Sequence, residues 1–260
     1  RDFLVKIRKV QDQLKDTGVR AEFLTKEAAC EYIDRYFAMD FTHKTLSMNN
    51  FKVDEECVRM GDQKCKIFSL VDVDSINLPG LVRPFANIEV NNTRMPVDLM
   101  AAIDQIPEAR TVIYNQMIFI PNQKRELALL EKKKNRHASI PNPGNQMAVE
   151  DIKQVQEVMA REGKQLVYTH YNLVVCCNND TDLQKPTNHL ENTFGRMGIH
   201  ISKRAYNQLE LFVNSFPGNC YGMSAEYDRF LTLGDAATCL MYKEKIQHSE
   251  ETPLKIYYTD

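Results

Sequence analysis

The sequence predicts a mixed α+β fold. Strand–helix–strand from Cys65 to Ile120 is echoed by strand–helix–strand from Gln165 to Tyr206, and two charged helices stand between them over residues 122–163. Two such units are how a ferredoxin-like split βαβ fold is written: an antiparallel sheet with its helices on one face. The intervening pair then forms an antiparallel helical hairpin inserted between the halves.

From the N-terminus, Phe3, Leu4, Ile7, Val10 and Leu14 repeat on one face, the pattern of an amphipathic helix. Gly18 ends it, because the position after a helix commonly needs positive φ. Val19–Leu24 reads as a short strand. Thr25 reads as the N-cap of a second helix whose buried stripe is Ala29, Tyr32, Ile33, Tyr36 and Phe37. Residues 1–54 therefore form a leading helix–strand–helix, with Asp40–Val53 as loop.

Strands follow at Cys57–Met60 and Cys65–Val73, joined by a turn at Gly61-Asp62. Pro79-Gly80 turns the chain, and Val82–Val90 is a weaker strand because Pro84 interrupts it. Pro96 opens a short helix through Ile106. Thr111–Ile120 is a strong strand, rich in β-branched and aromatic residues. The hairpin helices are Asn122–His137 and Met147–Glu162, linked by residues 138–145. Leu127 and Leu130 mark the first; Val149, Ile152, Val155, Val158 and Met159 mark the second. Such narrow stripes bury against each other more than against a core.

Gln165–Cys177 is the longest strand. A helix follows with Leu183, Leu190, Phe194 and Met197 on one side and Pro186 in its first turn. Gly198 ends it, Ile199–Tyr206 is a strand, and Asn207–Phe216 is a helix using Leu209, Phe212 and Val213. Pro217-Gly218 closes the region.

The 260 residues are 43% hydrophobic and 26% charged, ordinary for a globular chain, and the net charge of −2 supplies no global field for nucleic acid or an acidic membrane. No apolar run approaches the roughly 20 residues of a membrane span. Seven cysteines, an odd number, sit without a regular framework, which suits a reducing cytoplasm. The chain starts at Arg1 and ends on the strand-like Leu254–Asp260, so both ends read as cuts within a longer polypeptide.

No motif for nucleotide or metal chemistry emerges. The Gly163-Lys164 pair is followed by Gln165, with Val158 where a phosphate loop needs its first glycine. Gly195-Arg196-Met197-Gly198 lacks dinucleotide spacing. Cys176 and Cys177 are adjacent, so on a strand they point to opposite faces and cannot share an ion. Cys57 and Cys65 lie across a hairpin without paired histidines. His170 shares a face with Tyr168 and Val174 and reads as packed or hydrogen-bonded, while His189, His200 and His248 have no ligand spacing. The remaining feature is the basic run near the hairpin tip. Lys132, Lys133, Lys134 and Arg136 are the candidate partner contacts, although cations also favour a helix C-terminus for its dipole alone. The alternative to a protein partner is a nucleic-acid-binding module that uses this tip.

From Gln165 onward the chain resembles the large conjugative-transfer ATPases of type IV secretion systems, specifically TraG-type members of the CagE/TrbE/VirB group. The likeness rests on Leu166–Cys177, the helix to Met197, Ile199-His200-Ile201-Ser202, Asn207–Phe216 with its Pro217-Gly218 exit, Arg229-Phe230-Leu231, Asp235-Ala236-Ala237 and Pro253–Asp260. The resemblance implies an N-terminal assembly domain over 1–222 and the start of a truncated motor domain over 223–260. It implies inner-membrane secretion-channel subunits and other copies of the parent ATPase as partners, and a cytoplasmic location, peripheral at the inner-membrane face. ATP and magnesium are expected only in the missing motor. No catalytic residue of the family carries over, so these residues are not expected to be an enzyme by themselves.

Overall fold

A strand with one wet face needs apolar residues only at every second position, whereas a continuous apolar run must be covered on both sides. Leu173-Val174-Val175-Cys176-Cys177 is such a run, and the fold is organised around it. The computed structural model describes residues 2–43, 51–61, 63–70, 87–90, 93–96, 103, 106–196, 201–202, 207–224 and 228–234. In chain order its elements are α1 (Asp2–Asp16), α2 (Lys26–Ala38), β1 (Phe51–Val53), β2 (Val58–Met60), β3 (Gln63–Leu70), β4 (Asn87–Val90), β5 (Thr93–Pro96), β6 (Ala109–Phe119), α3 (Gln123–Ala138), α4 (Pro143–Glu162), β7 (Leu166–Asn178), α5 (Gln184–Arg196), α6 (Gln208–Asn214) and β8 (Phe230–Leu233).

The main sheet runs β1-β2-β3-β7-β6 and is antiparallel throughout. β7 is its spine, pairing with β3 from Leu70↔Tyr171 to Gln63↔Asn178 and with β6 from Phe119↔Tyr168 to Ala109↔Cys177. β8 takes the start of β7, Leu166–Thr169, beyond the end of β3. The segment read as opening a second domain at residue 223 thus contributes a strand to this sheet. A separate two-stranded ladder joins β4 to β5.

On one face, Leu173, Val175 and Cys177 pack with Phe68, Ile103, Ile106 and, from α5, Leu190 and Phe194. On the other, Val174 and Cys176 pack with Cys65, Ile67, Tyr36 and Met39 beside α2, and Leu211 and Phe212 from α6. Tyr36 stacks on Phe212 at 5.3 Å between ring centroids and donates its hydroxyl to the Phe212 carbonyl at 3.2 Å. The expectation of helices on one face is corrected here: the described helices cover both, because the apolar run of β7 leaves neither face fit for water.

β2 is shorter than β3, which leaves the outer edge of β3 open past Cys65. Gln208 closes it with its side-chain amide, accepting from Ile67 N–H at 2.7 Å and donating to Ile67 C=O at 3.1 Å. Ser202 continues the same edge, its N–H donating to Ser69 C=O at 2.8 Å. At Ile67 a side chain does the work of a strand, pairing both backbone groups of the open edge.

Four local expectations change. Val19–Leu24 forms no ladder; its backbone turns back onto α1, where Val19 N–H donates to Leu14 C=O at 2.8 Å. The loop expected over Asp40–Val53 ends in β1, three residues too few for periodicity to register. Pro96 closes β5 opposite Asn87, a strand-end site where its missing N–H costs little, and residues 97–102, 104 and 105 of the helix expected from it lie outside the described residues. The second hairpin helix starts at Pro143, earlier than Met147, because Asn142 caps it and proline is suited to the first turn. The strand expected beyond Leu70, the turn at Pro79-Gly80, residues 82–86, most of Ile199–Tyr206 and the terminal Leu254–Asp260 lie outside the described residues.

Candidate interaction surface on the helical hairpin

The hairpin is locked at its base, middle and tip. At the base, Gln123 imitates a strand residue: it donates to Leu166 C=O at 2.8 Å and accepts from Leu166 N–H at 2.8 Å. Tyr168 then donates its hydroxyl to Glu126 Oε2 at 2.8 Å, which gives this buried carboxylate a partner. In the middle, Lys134 Nζ meets Glu131 Oε2 at 2.7 Å and donates to Gln156 at 3.2 Å, while Gln156 donates to Glu131 at 3.0 Å. The lysine holds the Glu131 carboxyl below its usual range. At the tip, His137 Nδ1 donates to Asn145 Oδ1 at 2.8 Å. Partners that descend along α4 as they ascend along α3 make the pair antiparallel, as expected. Asn122 and Asn142 cap the two helices, and Gly163 ends α4 at φ 65°, where glycine escapes the Cβ penalty.

The structure divides the four predicted contact residues. Lys134 faces inward, only 21% exposed, and belongs to the clamp. Lys132, Lys133 and Arg136 stand on the exposed side of α3. Arg125, exposed, and Leu129, 46% exposed, extend that surface down the helix. Arg125, Leu129, Lys132 and Arg136 follow the 4-3-4 spacing of one helical face, a signal in the sequence that a search for charge runs passes over. The exposed charges of α4 include Glu150, Asp151 and Glu157, so the basic surface belongs to α3.

Elsewhere the chemistry-bearing residues are internal. His170 on β7 donates from Nδ1 to Asp228 C=O at 2.6 Å, and its Nε2 receives the Asn172 amide at 2.9 Å. A carbonyl can only accept and an amide N–H can only donate, so the ring is the neutral Nδ1–H tautomer. Asn172 also donates to Ser215 Oγ at 2.8 Å and accepts from Asn115 at 2.9 Å. His170, Asn172 and Ser215 are essentially inaccessible. The network fixes the sheet centre.

The cysteines Cys57, Cys65, Cys176 and Cys177 are buried and free. Burial pushes the Cys177 thiol up to about 11 and raises that of Cys65 as well. Thiolate is the reactive form, so alkylation by iodoacetamide at neutral pH is expected at the exposed Cys30 and not at these four. Mass spectrometry of the native chain checks this; label on Cys65 or Cys177 would contradict the packing described. Among the described residues no group of three or more His, Cys, Asp or Glu is placed to hold a metal, and no helix is long and apolar enough to cross a membrane.

Residues 6–220 match the model of a protein family described as TraC protein, a span covering most of the chain. No curated protein matches at a significant level.

Proposed function

The chain belongs to the TraC family of type IV conjugative-transfer proteins, and from that premise we propose that it is the N-terminal assembly and interaction domain of a conjugation ATPase. Its partners are inner-membrane channel subunits and further copies of the parent ATPase, met at the cytoplasmic face of the inner membrane. ATP and magnesium chemistry belongs to a motor elsewhere in that parent, and these residues do not themselves turn over ATP. Kinship with TraG-type members of the CagE/TrbE/VirB group is part of the same proposal and rests on the resemblance of the C-terminal segments. The assembly domain is taken to run through β8, given its place in the sheet. The order Ser202, β3, β7, β6, with Ile103, Ile106 and α5 sharing a face, favours the ferredoxin-like reading of that sheet.

The observation that carries the docking role is the basic face of α3, exposed while the hairpin beneath it is clamped at three levels. A partner meets cations that are already positioned, and little ordering is left to binding. Replacing Lys132, Lys133 and Arg136 together with glutamate is expected to weaken capture of channel subunits while keeping a cooperative melt, lowered by about 1–2 kcal/mol because the reversed charges sit near the C-terminus of α3. Lys134→Ala does the reverse: it loosens the clamp by about 0.5–1 kcal/mol, the size of a well-formed surface pair, and leaves the outer face intact. Unchanged capture by the triple variant would remove this surface from the assembly role. Salt titration separates the nucleic-acid alternative. Three phosphate contacts give a slope of log affinity against log salt of roughly −3, whereas docking on a mixed apolar and polar protein surface falls less steeply.

A further inference from the structure

Helix α1 has no buried residue and contributes to neither core cluster. Its apolar side chains are nevertheless in order. Phe3, Ile7, Val10 and Leu14 follow the 4-3-4 spacing of one face, with Leu4 beside them. The chain after the helix doubles back along it. Val19 N–H donates to Leu14 C=O at 2.8 Å, Gln11 donates to Ala21 C=O at 2.8 Å, and Phe23 lines a shallow apolar groove together with Ile7, Val10 and Leu14. That fold-back leaves Phe3 71%, Leu4 59%, Val10 53%, Phe23 59% and Leu24 66% exposed.

The charges of α1 say what covers this surface. Helical spacing places Lys6 along one border of the apolar stripe and Arg8 and Lys15 along the other, with Asp2, Lys9, Asp12 and Asp16 toward the opposite side. Val5 alone is apolar outside the stripe. An apolar protein groove would accept the stripe but gives no reason for cations along both borders. Nucleic acid would use the cations and not the stripe. A bilayer surface uses both. Apolar side chains enter the acyl boundary, lysine and arginine stems reach up to phosphates at their border, and the acids remain in water.

We propose that α1, with the fold-back of residues 19–24, is an interfacial anchor that lies flat in an anionic lipid surface. This deepens the membrane-face location given under the proposed function and rests on that reading, although the vesicle test below stands without it. The anchor leaves the core untouched, and it holds the domain to the surface without a span.

The full chain mixed with vesicles of phosphatidylglycerol and phosphatidylethanolamine is expected to co-float, and to float poorly with phosphatidylcholine alone. Changing Lys6, Arg8 and Lys15 to glutamine should weaken binding by about tenfold or more, given the attraction of each cation near an anionic surface. Phe3→Asp with Val10→Asp should abolish it. Both variants should melt like the parent, since neither touches a buried side chain. The chain has no tryptophan, so Phe3→Trp gives a single reporter whose emission shifts to the blue only with anionic vesicles. Absence of flotation, equal flotation with neutral lipid, or variants that bind like the parent would each overturn the anchor. So would a soluble dimer that Phe3→Asp with Val10→Asp dissolves, because the face would then belong to a second copy. Cell fractionation keeps the two readings apart. If the variants lose vesicle binding while the parent ATPase stays with the membrane, channel docking holds it there. If vesicle binding persists but the parent is absent from the membrane fraction, the location fails and the anchor stands.

Discussion

Phe194→Ala is expected to lower the stability of the chain by about 3–5 kcal/mol, the range for deleting a buried aromatic side chain. The ring is 4% exposed, on the inward face of α5, and packs with Leu190 against the Leu173 and Val175 side of β7. Two costs combine. The lost side chain forfeits its transfer free energy, and the space it leaves cannot collapse because α5 and the sheet fix its walls. Urea melts measure the effect, with Leu209→Ala as the control: Leu209 is 37% exposed and its loss should cost far less. A melt indistinguishable from the parent would show that α5 does not bear on the sheet through this residue.

Asn172→Leu should cost roughly 2–4 kcal/mol. The shape is nearly kept, so packing is not the issue. What changes is pairing: Nε2 of His170 loses its donor, Ser215 Oγ loses a donor it accepts from, and Asn115 loses its acceptor. A lost hydrogen bond to a buried polar group costs about 1–3 kcal/mol; Ser215 Oγ still donates to Leu211 C=O at 2.6 Å, so most of the cost falls at His170, where the Asn172 amide is lost with no direct route to water. Asn115→Ala removes only the half-buried arm of the network and should be milder. If Asn172→Leu were as stable as the parent, the network would be a consequence of the fold and not one of its supports.

Most of the secondary structure could be read from the sequence, because it rests on local chemistry. The apolar stripe of α2, the cap at Thr25, the β-branched run of β6 and the hairpin helices all announce themselves within a few residues. The two-sided cover of the sheet was also written there, in the unbroken apolar run Leu173–Cys177, but counting helices in a βαβ pattern drew the eye to one face. Gln123 and Gln208 were not legible at all. Each is a polar residue in a first helical turn, and nothing in composition or spacing says that its amide completes a strand at Leu166 or Ile67. The candidate surface was half visible. Lys132, Lys133, Lys134 and Arg136 form a single run in the sequence, and only the position of Gln156 on the opposite helix draws Lys134 out of it. The apolar stripe of α1 was plain; that no other described element would cover it was not.

The base of the hairpin has a consequence for reach. Phe119 and Tyr168 already sit side by side where α3 leaves the sheet and the chain returns from α4, and Gln123 seals that junction onto Leu166. The two strands would meet in the same register whether the arm between them were shorter or longer, since doubling an excursion adds only about 0.6 kcal/mol of closure entropy. The arm can therefore be lengthened or trimmed by whole turns, or carry a tag at residues 139–142, while the platform beneath it keeps its shape.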